Sequence, residues 1–204
     1  MKLGTVTIMN TNNIERFYVI TGGPGSGKTS LLDALEVRGF RRSWEAGRAL
    51  IQQQVAIGGR ALPWADRSLF AELMLSWEIR SYRCAEQGPC PTFFDRGVPD
   101  VVGYLRLVSL PVPDHVRKAV EILRYNTRVF LAPPWPEIFT RDEERKQDFQ
   151  EAVRTYESLR VTYAEQGYEI HQLPRASIED RVDFVLATAG LPAKQGAAST
   201  PWSK

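Results

Sequence analysis

The residues most clearly arranged for chemistry form a glycine-rich stretch near the start of the chain. The spacing of its glycines, lysine and threonine is that of a phosphate-binding loop. The predicted loop consists of Gly22, Gly23, Pro24, Gly25, Ser26, Gly27, Lys28, Thr29 and Ser30. Glycines tolerate positive φ and close approach, so successive backbone N–H groups can converge on one anion. The stretch therefore predicts a site for the phosphates of a nucleotide.

The segments on either side of this loop agree with that prediction. A short apolar run at 17–20 enters the loop, and leucines at helical spacing follow it. A helix beginning near Gly27 would direct its unpaired N–H groups and the positive end of its dipole at the phosphates. We expect Lys28 to reach the β- and γ-phosphates and to act in catalysis, and Thr29 to offer its hydroxyl to Mg²⁺.

A magnesium ion on a nucleotide keeps several waters and takes only one or two carboxylates from the protein. One acidic residue should therefore end a buried strand near the loop. Asp95, which follows the apolar run 92–94, is the predicted metal ligand together with Thr29. The alternative is that Asp95 is a turn residue before Gly97, and Asp100 is a weaker candidate for the metal. ATP and Mg²⁺ are the predicted cofactors.

Short strands and helices alternate along the chain and must position these residues. The strands are predicted at 17–20, 40–44, 92–94, 128–131 and 168–173. The helices are predicted at 29–37, 47–55, 66–82, 116–125, 140–166 and 177–188. Such alternation is typical of α/β domains, which have a parallel sheet, helices on both faces and ligands at the carboxyl ends of the strands. We therefore expect a single-domain α/β P-loop NTPase with a five-stranded parallel sheet.

Length and composition suit one ordinary globular domain. The chain has 204 residues, of which 43% are hydrophobic and 25% charged, and these values exclude the fibrous and disordered classes. Its net charge of +2 gives no reason to expect binding to nucleic acid or to a membrane. We expect an N-terminal extension at 1–15, the domain at 16–190 and a mobile tail at 191–204.

Cysteine and histidine usage indicates a reducing compartment. The chain has two cysteines, Cys84 and Cys90, and two histidines, His115 and His171, without metal-ligand spacing. Two reduced thiols are the expected state. The amino-terminal stretch lacks the apolar core of an export signal, and no run of about 18 apolar residues occurs. The sequence therefore predicts a cytoplasmic protein.

Three longer motifs carry a family resemblance in addition to the loop. The four motifs are ITGGPGSGKTSL at 20–31, WEAGRALIQQQ at 44–54, FFDRGVPDVVGYLRL at 93–107 and VFLAPPWPEIFTRDEERKQDF at 129–149. Over about residues 16–187 the chain resembles small bacterial AAA-type P-loop ATPases of unassigned function, which are related in pattern to nucleoside and nucleotide kinases. The resemblance implies a kinase-like strand order and a lid segment.

The kinase relatives imply roles for individual residues. Glu45 stands where an acidic residue at the end of the second strand contacts the acceptor hydroxyl. Asp95 and Arg96 match an acidic–Arg pair that serves the metal and the acceptor, and Arg141 and Arg145 match a lid over the phosphates. The EAGR motif that begins at Glu45 is not the Glu-Pro pair common in those kinases. This difference leaves the identity of the acceptor open.

Arg141 and Arg145 lie four residues apart and share one face at the start of the predicted helix 140–166. Thr140 and Glu143 have the spacing of a capping box, so one interpretation is a capped, solvated helix end. Cations at the positive end of a helix dipole are mildly unfavourable, however, and this favours a functional role. We expect the stretch to be mobile without nucleotide and one of the arginines to stabilise the transferring phosphoryl group.

Three functions are compatible with a phosphate loop. A small-molecule kinase needs an acceptor pocket, a base and a cationic lid, and candidates for all three are present. An ATP-hydrolysing or ATP-sensing regulator acting on a protein partner stays open, because the loop alone does not fix the reaction. A GTPase switch is disfavoured, since the sequence contains no Asn-Lys or Thr-Lys pair. The kinase interpretation is preferred, with a nucleoside- or nucleotide-like small molecule as acceptor, and the oligomeric state is not predicted.

Several further residues have two interpretations. Arg48, Arg60 and Arg67 lie where such a kinase would receive an anionic acceptor, and the alternative is that they are solvated surface arginines. Ser177 follows a loop that passes near the adenine in the kinase relatives, and it also has the position of a helix N-cap. The alternative for Glu45 is an acidic residue that interacts with a helix dipole.

Overall fold

The computed structural model of the protein describes residues 14–139 and 148–194. Within these residues five parallel strands form one sheet, in the order β2-β3-β1-β4-β5. In chain order, strands β1 to β5 are Phe17–Gly22, Arg41–Arg42, Thr92–Asp95, Arg128–Ala132 and Glu169–Gln172. The prediction of an α/β domain with a five-stranded parallel sheet is confirmed.

The helices of the described residues cover both faces of this sheet. In chain order, helices α1 to α7 are Lys28–Val37, Ala46–Ala56, Arg67–Glu86, Val98–Leu107, Asp114–Ile122, Phe149–Glu165 and Ile178–Ala189. A short 3₁₀ turn, Pro136–Ile138, follows β4. Helices α1 and α7 pack on one face of the sheet, and α3 to α6 pack on the other.

Strand β1 shows why the sheet is covered on both sides. All six of its residues are buried. Phe17 and Val19 belong to the core under α3 to α6, whereas Tyr18 and Ile20 belong to the core under α1 and α7. Successive side chains of a strand point to opposite faces, so a continuous apolar run requires cover on both. As the central strand of the sheet, β1 delivers the glycine-rich loop to the middle of its carboxyl edge.

The start of α6 corrects the predicted helix 140–166. Asp148 has an extended backbone, with φ −88° and ψ 172°, and its side chain accepts a hydrogen bond from the Glu151 N–H at 2.8 Å. This N-cap sets the beginning of the helix at Phe149, because a residue in the extended region cannot continue a helix. Residues 140–147, including the predicted capping box, lie outside the described residues.

Three other helix predictions differ from the structure. Helix α4 was not predicted at all. Helix α3 continues past the predicted end at 82 as far as Glu86, and it begins after Asp66, whose carboxylate accepts a hydrogen bond from the Leu69 N–H. Helix α5 ends at Ile122 and not at Tyr125, whose ring packs edge-on against Tyr82 in the core.

Two general properties of the described residues bear on the sequence predictions. Cys84 and Cys90 both carry free thiols. Between residues 14 and 139 and between 148 and 194, no helix has both the length and the apolar character needed to cross a membrane.

Candidate functional site

The predicted phosphate loop has the backbone of an anion-binding turn. Gly25 and Gly27 adopt left-handed conformations, with φ of 68° and 75°. Gly27 is also the N-cap residue of α1, and no side chain caps the first turn of that helix. The N–H groups at this end are therefore available to an anion, and the helix dipole favours negative charge there.

Neighbouring elements pack so closely on the loop that side chains would not fit at three of its glycines. A Cβ at Gly22 would strike the carbonyl oxygen of Ala132 in β4. A Cβ at Gly23 would lie 2.5 Å from the Ala152 oxygen in α6, and one at Gly25 would lie 2.6 Å from the Phe139 ring. The loop is thus held between the end of β4, the 3₁₀ turn and α6.

Lys28 lies inside the loop and not in solvent. Its side chain is 6% exposed, and its ammonium donates hydrogen bonds to the Gly23 carbonyl at 2.7 Å and to the Ser26 hydroxyl at 3.2 Å. Ser26 in turn donates to the Gly23 carbonyl at 2.8 Å. The positive charge therefore already lies among the N–H groups that would receive the phosphates.

The oxygen ligands expected of a magnesium site lie on neighbouring elements. Asp95 ends β3, pairs with Ile20 of the adjacent β1 and is 4% exposed. Thr29 is exposed in the first turn of α1. A carboxylate and a hydroxyl suit Mg²⁺, which prefers oxygen ligands and takes few of them from the protein when it accompanies a nucleotide. The two predicted ligands are therefore consistent with a nucleotide-bound Mg²⁺.

Arg96 is the centre of a charged cluster next to Asp95. Its Nε lies 3.5 Å from Glu45 Oε1 and its Nη1 lies 3.1 Å from Asp100 Oδ1. Burial lowers the pKa of Arg96, but the negative charges of Glu45, Asp100 and Asp95 outweigh this effect and raise the pKa above its usual value. The structure thus brings together Glu45, Asp95 and Arg96, to which the resemblance assigns roles toward the acceptor and the metal.

Asp100 anchors this cluster to the core of the protein. Besides the contact with Arg96, its carboxylate accepts hydrogen bonds from the Thr21 and Tyr163 hydroxyls, at 2.5 and 2.6 Å, and from the Gly97 N–H at 3.0 Å. These donors occupy its lone pairs, so a metal ion would have to displace them. These contacts favour a structural role for Asp100 over the weaker prediction that it holds the metal.

Glu78 of α3 is a member of this region that sequence reasoning missed. It is 3% exposed. Burial, together with the charges of Asp100 and Asp95, raises its pKa well above the usual value. Its Oε2 makes no hydrogen bond within the described residues. Burial and the neighbouring negative charges therefore favour the protonated form of Glu78, beneath the charged cluster.

The arginines between β2 and α3 lie on the surface. Arg48 is exposed on α2, Arg60 is 80% exposed and pairs with Asp66, and the exposed Arg67 donates to the Pro63 carbonyl at 3.2 Å. Arg60 and Arg67 have local partners, which favours the interpretation of surface residues. For Arg48, both interpretations stay open.

The remaining predicted site residues lie near α7 or outside the described part of the chain. Ser177 caps α7, because its hydroxyl accepts a hydrogen bond from the Asp180 N–H at 3.2 Å. Arg141 and Arg145 are outside the described residues. A residue that the sequence did not single out, Arg181, is fully buried and contacts the phosphate loop.

Solved structures with a similar fold include three nucleotide-related proteins. NadR in complex with NR aligns with a TM-score of 0.68 at 17% identity, over 90% of this chain and 53% of its own. Thymidylate kinase from Ehrlichia chaffeensis aligns with a TM-score of 0.58 at 14% identity, over 84% of this chain and 97% of its own. Deoxyadenosine kinase from M. mycoides with bound dATP aligns with a TM-score of 0.53 at 11% identity, over 85% and 99%. These identities support a shared fold alone.

The chain spans about half the length of the NadR chain that it matches, at 53%. A search of curated proteins finds no match. A family model described as an AAA domain matches residues 17–181, a range that includes the phosphate loop, the Glu45–Arg96 pair and Asp95. The phosphate loop, the strand order and this match agree, and the chain therefore belongs to this AAA domain family, with a kinase-like P-loop fold.

Proposed function

We propose that the protein is a small-molecule kinase that transfers the γ-phosphoryl group of MgATP to a nucleoside- or nucleotide-like acceptor. The observation that supports it best is the pair of Glu45 and Arg96 beside Asp95, next to the strand that leads into the phosphate loop. A nucleotide-binding loop alone needs no such pair. A carboxylate held by a cation near the expected γ-phosphate is what a transferase needs to bind and deprotonate a hydroxyl.

Each residue of the site has a defined task in this reaction. The N–H groups of the loop and the Lys28 ammonium bind the phosphates, and Thr29 and Asp95 hold the metal. Mg²⁺ supplies charge neutralisation on the phosphate oxygens. Glu45 accepts the proton of the acceptor hydroxyl while that oxygen bonds to the γ-phosphorus, and the bond to the bridging β–γ oxygen breaks to release ADP. Arg96 holds the Glu45 carboxylate in place.

The acceptor class and the nucleotide are inferred from proteins of the same fold. The similar structures are named as kinases of deoxyadenosine and thymidylate, and NadR is described in complexes with NR and with NAD and AMP-PNP. We extend to this chain only the shared chemistry, an ATP-like donor and a nucleoside- or nucleotide-like acceptor. The two free thiols are consistent with a cytoplasmic location. The proposed reaction, which consumes ATP, agrees with it.

A second candidate, an ATP-hydrolysing or ATP-sensing regulator of a protein partner, is favoured by an exposed apolar surface. Around α2 and the start of α3, the side chains of Val55, Ile57 and Trp64 are 59%, 75% and 58% exposed. These three residues lie within ten positions of the chain, and exposed apolar side chains that adjoin one another often mark a protein-binding surface. Such a regulator would use the same loop and metal ligands but would need no acceptor.

An acceptor screen separates the two functions. The protein is incubated with MgATP and a panel of nucleosides and nucleotides, and ADP formation and the phosphorylated product are measured. A kinase forms ADP only with an acceptor and in equal amount to the product. Lys28→Ala, which lacks the charge at the phosphates, serves as the inactive control. Equal ADP formation with and without every acceptor would contradict the kinase proposal and favour the regulator.

A further inference from the structure

Arg181 lies behind the phosphate loop, in the first turn of α7. Its side chain is 0% exposed. The guanidinium donates hydrogen bonds to the Ser26 carbonyl at 3.1 Å and to the Gly27 carbonyl at 3.5 Å. A residue 154 positions along the chain thus contacts two consecutive carbonyl groups of the loop.

The buried charge of Arg181 has no carboxylate partner in the part of the chain that the structure describes. Among residues 14–139 and 148–194, no acidic side chain pairs with Arg181, and burial alone lowers its pKa. The Trp135 ring lies 5.8 Å from the guanidinium carbon. The buried Nε of Arg181 has no hydrogen-bond acceptor among the described residues. An isolated buried cation is costly unless an anion lies nearby. Arg181 contacts the loop whose N–H groups are available to an anion.

Peptide geometry connects Arg181 to these N–H groups. In a trans peptide the C=O and the following N–H point in opposite directions. The carbonyls of Ser26 and Gly27 share their peptide units with the N–H groups of Gly27 and Lys28. A cation bound to the two carbonyls therefore fixes the direction of these two N–H groups and increases their polarity as donors.

The packing at Gly27 supports the same arrangement. A Cβ at Gly27 would lie 2.6 Å from Arg181 Nη1. The positive φ of Gly27 favours glycine, and the absence of a Cβ leaves room for the guanidinium to approach the loop.

We propose that Arg181 is a positioning residue of the phosphate site, which orients and polarises the Gly27 and Lys28 N–H groups and thereby strengthens binding of the polyphosphate. The proposal rests on the proposed function only in requiring a polyphosphate ligand at the loop. It adds a contact from the last helix to a site otherwise built from β1, α1 and β3.

The test compares Arg181→Met, which removes the donors, with Arg181→Lys, which keeps the charge and one donor. Two variants serve as controls. Val185→Ala removes a buried side chain of the same helix, and Arg38→Met removes an arginine that pairs with Glu179 of α7 and does not contact the loop. Affinities for MgATP and for inorganic tripolyphosphate are measured at a temperature where every protein is folded, and amide proton shifts are recorded without ligand.

We expect Arg181→Met to weaken the binding of both MgATP and tripolyphosphate by about tenfold or more. The chemical shifts of the Gly27 and Lys28 amide protons should move upfield. Arg181→Lys should restore part of the affinity, whereas Val185→Ala and Arg38→Met should bind as the wild type does. Wild-type affinity and unmoved amides in Arg181→Met would overturn the proposal. If Arg181→Met does not fold, the same two readouts in Arg181→Lys decide. Failure of the wild type to bind either ligand would contradict the proposed function and this proposal together.

Discussion

At the scale of single residues, Glu45 has two interpretations, a general base and a carboxylate at a helix terminus. It is the N-cap residue of α2, yet its side chain makes no capping hydrogen bond and lies 3.5 Å from Arg96. We expect Glu45→Gln to leave ATP binding unchanged and to slow phosphoryl transfer by about 10²- to 10⁴-fold, the effect of losing a general base. Single-turnover kinetics with an identified acceptor measures the transfer step.

The matched control for Glu45 is Glu36→Gln, which changes a half-exposed carboxylate on α1 outside the proposed site. It should retain turnover. Unchanged turnover in Glu45→Gln as well would remove Glu45 from the mechanism and leave it as a helix-terminal residue.

Asp95 can be tested through the metal itself. Asp95→Asn keeps the shape of the side chain but loses the charge that would hold Mg²⁺ directly or through water. We expect it to weaken nucleotide binding by about 10- to 100-fold in magnesium and to change it little in EDTA. Isothermal titration in both buffers measures the difference. Equal losses in the two buffers would mean that Asp95 is a structural turn residue.

The site residues that sequence reasoning found are those with a local pattern. The loop has fixed spacing, and Asp95 ends an apolar run. Glu78, Arg181 and Tyr163 carry no such pattern, because their roles depend on contacts with residues far away along the chain. Tyr163, for example, bonds to Asp100 across 63 positions. Such contacts are set by packing of the sheet and helices and are not visible in one sequence.

At the scale of elements, the strands and most helices were predictable because apolar periodicity and turn residues mark them. Helix α4 was missed for a physical reason. It contains Pro99, two adjacent valines and Gly103, all poor helix formers. Pro99 lies in the first turn, where its missing N–H costs little. Tertiary contacts decide the rest, since Val101, Val102 and Leu105 are buried in the core.

The predicted lid arginines belong to the connection between β4 and α6. Arg141 and Arg145 lie outside the described residues and stay a prediction. Alanine at either position is expected to lower turnover by about 10²-fold through loss of charge stabilisation, with a much smaller effect on ATP binding. Steady-state kinetics and ATP titration provide the comparison.

Arg160→Ala is the control for the lid prediction, because Arg160 lies on the solvent side of α6 and pairs with Glu157. It should behave as the wild type. If both single lid variants and the double variant keep wild-type turnover, the lid role is wrong.

At the scale of the whole molecule, Glu78 makes stability depend on pH. Its pKa is raised in the folded state by burial and by the charges of Asp100 and Asp95. The unfolded chain loses this proton near pH ~4.3, whereas the raised pKa makes the folded protein lose it only at a higher pH. The contribution of protonated Glu78 to the free energy of unfolding is therefore complete below that pH. It is lost as the pH rises through the folded-state pKa.

Glu78→Gln cannot ionise and should remove this dependence. We expect the Tm of Glu78→Gln minus that of the wild type to increase as the pH rises from 4 to 8. Glu86→Gln, at the partly exposed end of the same helix, should show no such trend. Thermal unfolding at several pH values measures both, and parallel curves for wild type and Glu78→Gln would show that Glu78 is not buried as a neutral acid.

The Asp100 carboxylate connects the phosphate loop with the proposed acceptor site, because it contacts residues of both. It binds Thr21, which directly precedes the phosphate loop, and Arg96, which holds the proposed base. A ligand that shifts one of these contacts alters the energy of the other. Linkage then requires reciprocity: by whatever factor the acceptor changes the affinity for ATP, ATP must change the affinity for the acceptor by the same factor. The two substrates are therefore expected to bind cooperatively, with a single coupling free energy that does not depend on their order of addition.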